Sequence, residues 1–512
     1  MRQRVRRAEI ALWEATAMLV VLATAWLLRF RPLGRPGYDV DELVYSAVAG
    51  NWVNYGYLGL KPEYIETGPR PYGSHPLFMF WPLIGWYKAR YYLGIEPATG
   101  IEAERALSAW ASLVTIGLVW LVLRSTLRPV MAVMAAGWLA VDGWVVFTNR
   151  VGWVENIQMP IGILALWLTG QAARRVESYR TNHRRLPLGW LLAAGFGLGF
   201  VLVFKHVGVC FTLAGLLYLA IGRAGLKALA IVCSTIAACI GGYVWLMVHW
   251  IGTGYLRDTY NQFLRVTGIV PSPGSINNTS DVVGALLSNY SIYLVSLGIL
   301  AVAGAMAGWR LIQFVVPPLR YIGGYQQNTL PIWRVHGLVW CWTICTYGVF
   351  LVGRLKLPHY LILLIVPAVC YIAAELNYWI ARPVKQRWRQ MVAIGLTVAV
   401  VASGLWSGTV RYVVNHDNAV KAAITWMNQQ VPLDRLVLTD EFIGQWIKQP
   451  YCRIRHATRC VQAGDTPDYV ITYATRTQKP PTDPALTSLI ANSTIVASFE
   501  GYKEVVIIYR HL

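Results

Sequence analysis

IALWEATAMLVVLATAWLL, residues 10–28, is an unbroken apolar run with a single charge, Glu14. At about 1.5 Å of helical rise per residue it reaches roughly 28 Å, close to the ~30 Å thickness of a bilayer's hydrocarbon core. Arg2, Arg4, Arg6 and Arg7 precede it. A basic flank and Ala23-Thr24-Ala25 mimic a secretory signal with its cleavage site. The run is long for such a signal, however, and the chain continues in the same style. The expectation is an uncleaved first membrane helix with its N-terminus in the cytoplasm.

The style continues for most of the 512 residues, of which 56% are hydrophobic and 14% charged, with mean hydropathy +0.44. Soluble domains carry about 25% charged residues, so a soluble multidomain protein is excluded, as are disordered and disulfide-scaffold classes. Further apolar spans read at about 106–123, 130–148, 154–172, 188–204, 207–222, 228–251, 285–307, 335–352, 359–379 and 391–410. With the first helix they make about eleven crossings. The expected fold is an all-α polytopic membrane domain over 1–410, with a small α/β domain over 411–512 on the outer side.

The formal charge is +20. In a soluble protein that would suggest nucleic acid; here the basic residues alternate with the spans, which excludes that partner. One set of loops holds Arg124 and Arg128, then Arg174, Arg175, Arg180, Arg184 and Arg185, then Arg223 and Lys227, then Arg310, Arg320 and Arg334, then Arg382, Lys385, Arg387 and Arg389. The short opposite loops hold only Arg150, Lys205, Arg257, Arg265, Arg354 and Lys356. Loops rich in Lys and Arg stay in the cytoplasm, which puts the polar loop 29–105 and the tail outside, in a plasma or inner membrane. In the tail, Asp417 is positioned to cap a helix ending near Gln430. Strand-like runs follow at Leu436–Thr439, Tyr469–Tyr473, Thr494–Phe499 and Glu504–Tyr509, and Asp440-Glu441 reads as a helix start after a strand. Cys452 and Cys460 are close enough for a disulfide in an oxidising compartment. The other six cysteines lie in apolar segments.

Candidate chemistry collects on the outer side. Asp39-Val40-Asp41-Glu42 stands just beyond the first span, where carboxylates are costly unless solvated, paired or used. A solvated helix start is the plain alternative, because acids favour a first turn. The D-x-D pattern of nucleotide-sugar transferases lacks the soluble nucleotide-binding domain it needs. His75 in Tyr72-Gly73-Ser74-His75-Pro76-Leu77 is held extended by its proline. Glu104-Arg105 opens the second span, Arg150 and Glu155 bracket the turn between the third and fourth, and Lys205-His206 ends the fifth. Gly353-Arg354-Leu355-Lys356-Leu357-Pro358-His359-Tyr360 joins the ninth and tenth. Interface anchoring by snorkelling explains any one of these cations. Their clustering on the side of Asp41 fits a phosphate-bearing substrate.

These patches resemble the GT-C membrane glycosyltransferases that use polyprenyl-phosphate sugars, among them the protein O-mannosyltransferases and the lipid A aminoarabinose transferases. Asp41-Glu42 with Tyr45 and Ala49 is similar to the family's acidic pair in the first outer loop, and His75-Pro76-Leu77 to its His-Pro-Pro-Leu. Arg105-Ala106-Leu107-Ser108-Ala109 resembles the arginine motif opening the second span. Arg150 with Glu155, and Lys356-Leu357-Pro358-His359-Tyr360, resemble two further core motifs. There are departures: one proline follows His75 instead of two, and Glu155 stands where many relatives have Asp. The resemblance implies Asp41 and Glu42 as catalytic acids, with Arg105, Arg150, Lys205, Arg257, Lys356 and His359 binding the donor phosphate. His75, Glu155 and Tyr360 would orient the acceptor, which is a lipid, a polysaccharide or a protein. No cofactor is implied with certainty; a divalent metal bridging Asp41 or Glu42 to the phosphate stays open. The competing readings are a transporter or flippase for a polyprenyl lipid, disfavoured because the acids lie in a loop and no paired broken helices are visible, and a scaffold protein.

Overall fold

The computed structural model describes residues 2–30, 39–68, 70–72, 76–182, 186–222, 224–267, 294–315, 333–352, 360–381, 419–462, 466–475, 484–501 and 504–512, with isolated positions between 391 and 406. The chain is mostly helical, in keeping with the composition. Its helices begin with α1 (Arg2–Phe30) and the outer-loop helices α2 (Val40–Tyr55) and α3 (Trp81–Tyr92). They continue through α4 (Ile101–Arg124), α5 (Pro129–Val141), α6 (Gly143–Asn149), α7 (Val154–Asn182), α8 (Leu188–Phe204), α9 (Val209–Ile221), α10 (Leu226–Ile251) and α11 (Gly254–Thr267). Beyond them come α12 (Leu294–Val315), α13 (Trp333–Val352) and α14 (Leu361–Ala381).

Among the described residues five helices are long and apolar enough to cross a membrane, or six counting the bent pair α5–α6; α8, α9 and α13 are shorter apolar helices. The protein is an integral membrane protein. α14 is buried over 89% of its apolar window, whereas the windows of α1 and α10 are 22% buried. α14 therefore runs inside the bundle, and the other two offer their apolar faces to lipid.

Several expected boundaries are corrected. The span at 130–148 is two helices bent by 62° at Asp142, where the Asp142 carboxylate accepts from the Val145 N–H and starts α6. Arg29, fully buried at the end of α1, closes the other side of the break. It donates to the carbonyls of Leu139 and Ala140 (both 2.8 Å), orphaned where α5 stops, and to Asn149 Oδ1 at 3.2 Å. The fourth span runs on to Asn182, so Arg174, Arg175 and Arg180 belong to α7 rather than a loop. The span expected at 285–307 is described from Leu294 to Val315, which puts Arg310 within α12, paired with Glu375 of α14 at 3.1 Å. Residues 285–293 and most of 391–410 lie outside the described residues.

The tail folds around a five-stranded mixed sheet of order β4-β3-β5-β7-β6. Four strands match the expected runs: β3 (Val437–Thr439), β5 (Tyr469–Thr475), β6 (Ser493–Glu500) and β7 (Glu504–His511). β4 (Tyr451–Arg453) was missed because three residues with a cysteine in the middle carry no alternation. (β1, Gly59–Leu60, and β2, Arg70–Pro71, form a short ribbon in the outer loop.) The helix before β3, α15, is Ala419–Gln430, a helix does start at Glu441, and Cys452 and Cys460 are disulfide-bonded. Asp417 lies outside the described residues.

Arg29→Ala should lower the melting temperature of the detergent-solubilised protein, since it strands buried carbonyls at about 1–3 kcal/mol each. A melting temperature equal to the wild type's would mean the break at Asp142 does not depend on Arg29.

Candidate active site

α2 begins with a capping box. The Asp39 carboxylate accepts from the Asp41 N–H (3.0 Å), and Glu42 accepts from the Asp39 N–H (3.4 Å). The acids thus do start a helix, as the plain reading had it, but Glu42 is shut off from solvent and Asp39 and Asp41 are only partly exposed. Successive helical residues point about 100° apart, so Asp41 and Glu42 face different surroundings.

Glu42 is fully buried and meets α4. Arg105 Nε reaches its Oε1 at 2.5 Å and Arg105 NH2 its Oε2 at 2.7 Å, a bidentate pair with both side chains shut off from solvent. The Gly152 N–H donates to Glu42 Oε1 at 2.7 Å. Burial pushes the Glu42 carboxyl above its ordinary value, and the charge and hydrogen bonds of Arg105 pull the other way. Gly152 has to be glycine for space: a Cβ there would fall 2.6 Å from Glu104 Cγ and 3.1 Å from Glu42 Cγ. Glu104 itself is buried, and its Oε2 has no hydrogen-bond partner among the described residues.

Asp41 faces a second group, beside Lys205 and Glu155. Lys205 Nζ lies 2.6 Å from Glu155 Oε1, both nearly inaccessible. The ammonium sits 5.5 Å from the Tyr45 ring centroid and 6.0 Å from that of Tyr360. Tyr45, one helical turn after Asp41, hydrogen-bonds its carboxylate. Burial raises the Asp41 carboxyl above its ordinary value; Lys205 and Tyr45 lower it and Glu155 raises it. Tyr72 borders the same carboxyl, and its phenol is pushed up by burial and by Asp41.

Three spans supply this group through irregular backbone. Lys205 is extended (φ −155°) where α8 stops, and the Gln158 amide holds its carbonyl at 2.8 Å. The turn from Asn149 to Asn156 is fixed by the Asn156 amide, which donates to Ser108 Oγ (2.6 Å) and the Thr148 carbonyl (2.8 Å). Ser108 Oγ in turn donates to the Val151 carbonyl at 2.8 Å. That turn delivers Glu155 to Lys205 and Gly152 to Glu42, and it carries the buried Arg150.

The expected residues therefore divide. Asp41, Glu155, Lys205 and Tyr360 come together. Arg105 and Glu42 pair with each other instead of joining that group. Arg257 stands exposed on α11. His75, Lys356 and His359 lie outside the described residues; Leu77, just after His75-Pro76, donates its N–H to Tyr243 Oη at 3.1 Å. A divalent ion fits this donor set poorly, because Glu42 is saturated by Arg105 and Gly152 while an ammonium already faces Asp41 and Glu155. Sequence reasoning missed Arg29, Asn149, Asn156 and Gln158; a buried arginine at a helix end and amides flanking a turn are the signals that could have found them.

Arg105→Ala should cost about 3–5 kcal/mol by leaving a buried carboxylate unpaired, and donor use should fall with it. Arg124→Ala, nineteen residues along α4 and roughly 28 Å away, breaks a pair with Glu14 in which the guanidinium is partly exposed and should leave donor use unchanged. Equal losses of transfer in membranes would contradict this.

Residues 75–249 match the model of the dolichyl-phosphate-mannose-protein mannosyltransferase family. No curated protein sequence matches the chain. In fold it is similar to ArnT from Cupriavidus metallidurans, solved with undecaprenyl phosphate: 15% identity, 97% of this chain and 98% of that one covered, TM-score 0.58. It is also similar to the oligosaccharyltransferase AglB from Archaeoglobus fulgidus, solved with an inhibitory peptide and a dolichol-phosphate: 13% identity, 90% and 69% covered, TM-score 0.55. Over residues 75–249 the chain is thus similar to the dolichyl-phosphate-mannose-protein mannosyltransferases, and over nearly its whole length it shares the fold of ArnT.

Proposed function

We propose that the protein is an inverting transferase that moves a sugar from a polyprenyl-phosphate donor to an acceptor hydroxyl, with Asp41 as general base. The observation that carries this is the half-buried Asp41 carboxyl, near enough to the Lys205 ammonium for that charge to lower its pKa, with the ammonium held 2.6 Å from Glu155. The acceptor oxygen bonds to the anomeric carbon as the bond from that carbon to the phosphate oxygen breaks. The acceptor's proton passes to Asp41, and the electron pair leaves on the polyprenyl phosphate. A general base supplies roughly 10²–10⁴-fold, so stabilising the departing phosphate must contribute much of the rest. Lys205, held by Glu155, is the cation offered for that charge, with Arg150, Lys356 and His359 as further candidates, and His75 and Tyr360 are the candidates to orient the acceptor. Glu42 and Arg105 fix α2.

The reaction is assigned to the extracytoplasmic face, with the N-terminus cytoplasmic, about eleven crossings within 1–410 and the tail from 411 outside. The alternation of basic loops supports this, as does the Cys452–Cys460 disulfide, since such bonds persist in oxidising compartments. Both similar structures carry a polyprenyl phosphate, undecaprenyl phosphate in ArnT and dolichol-phosphate in AglB, which supports that donor class.

Asp41→Asn should abolish transfer in membranes while the protein accumulates and melts as the wild type does; normal turnover would remove Asp41 as base. Because transfer needs the ionised carboxylate, activity is lost as pH falls through the raised Asp41 value. Lys205→Met removes the charge that lowers that value, so the acid limb of its pH profile should move to higher pH. An unmoved limb, or one at lower pH, would separate Lys205 from Asp41.

A further inference from the structure

Three consecutive residues at the start of α2 point to three different places. Asp41 faces Lys205 and Glu155, and Glu42 is clamped to Arg105. Leu43, another ~100° around, enters the apolar core of the tail with Ile101, Val420, Ala423, Ile443 and Ile447. Its backbone carbonyl accepts from Trp446 Nε1 at 3.1 Å. The loop that follows is bound to the same part of the tail. Lys61 donates its N–H to Gln445 Oε1 (2.7 Å) and its ammonium to the carbonyls of Ile447 (3.0 Å) and Gln449 (3.2 Å). The Tyr64 N–H donates to the Tyr451 carbonyl at 2.8 Å. Further along β4, buried Arg453 pairs with Glu63 and donates its backbone N–H to Glu63 Oε2 at 3.0 Å. Glu66 and Glu441 each lie 3.6 Å from the same guanidinium, and His456 Nδ1 is 3.3 Å from Glu63.

From this we infer that the tail is a positioning element for transfer, acting through Trp446 and Arg453 to fix where α2 presents Asp41. A helix end clamped only at Glu42 can pivot about that point. Attachment of Leu43 on another side removes the pivot, so the Asp41–Lys205 spacing depends on a domain that need not touch the substrate. An error of about 1 Å at a reacting group can cost on the order of 10²-fold in rate. This inference rests on the reading of Asp41 as base.

The test measures transfer by the full-length protein in membranes with a polyprenyl-phosphate sugar that the wild type accepts. Trp446→Phe keeps an aromatic ring and removes the donor; Arg453→Ala removes the second tether. The expected result is a fall in kcat of roughly 10- to 100-fold, with donor KM within about twofold and the acid limb of the pH profile displaced. A fall in stability without these changes would mark a structural tether alone and overturn the inference. So would wild-type kcat, or a raised KM at unchanged kcat. Should Arg453→Ala fail to accumulate, Trp446→Phe decides. If Asp41→Asn turns over normally, the base reading fails; if Asp41→Asn is inactive and Trp446→Phe is normal, only the positioning role fails.

Discussion

The buried pair of Glu42 and Arg105 is the constraint on which the site depends. Neither ion can be left alone inside a membrane protein: desolvation costs several kcal/mol per ion and is offset only by good geometry and full hydrogen bonding. Glu42 obtains both, from the guanidinium fork and from the Gly152 N–H. The pair thereby locks three separate pieces of chain together: the start of α2, the start of α4, and the turn that leads into α7. Once those are registered, the neighbouring positions follow. Asp41 must face away from Arg105, and Glu155, three residues after Gly152, must lie near the end of α8 where Lys205 emerges.

The polar groups behind the site serve the same end. The break at Asp142, the turn from Asn149 to Asn156 and the break at Lys205 expose backbone groups that a membrane interior cannot hydrate, and each must find a protein partner. Arg29 serves the first, Asn156 and Ser108 the second and Gln158 the third. They hold irregular backbone in place beside Asp41 and Lys205, the two residues proposed to carry the reaction.

Much of this was legible in the sequence because membranes write strong one-dimensional signals. The apolar run at 10–28 and the alternating runs in the tail follow from hydrophobic thickness and strand period. Asp41, Glu155, Lys205 and Tyr360 stood out as polar residues at costly places. Which of them meet was not legible, because Arg105 and Glu42 are sixty-three residues apart and nothing local says they exhaust each other. The break at Asp142 was hidden inside a run apolar enough for one span. The attachment of the tail to Leu43 and Glu63 depends on contacts about 390 to 400 residues apart in sequence, beyond any periodicity.

The most direct measurement is a double-mutant cycle on Glu42→Gln and Arg105→Met, read as thermal stability in detergent. If the pair is the constraint described, each single change leaves a buried group without its partner. The double variant should then recover much of the loss, with a coupling of more than about 1 kcal/mol. Losses that simply add would contradict it, because α2 would then be held in place by something other than this pair.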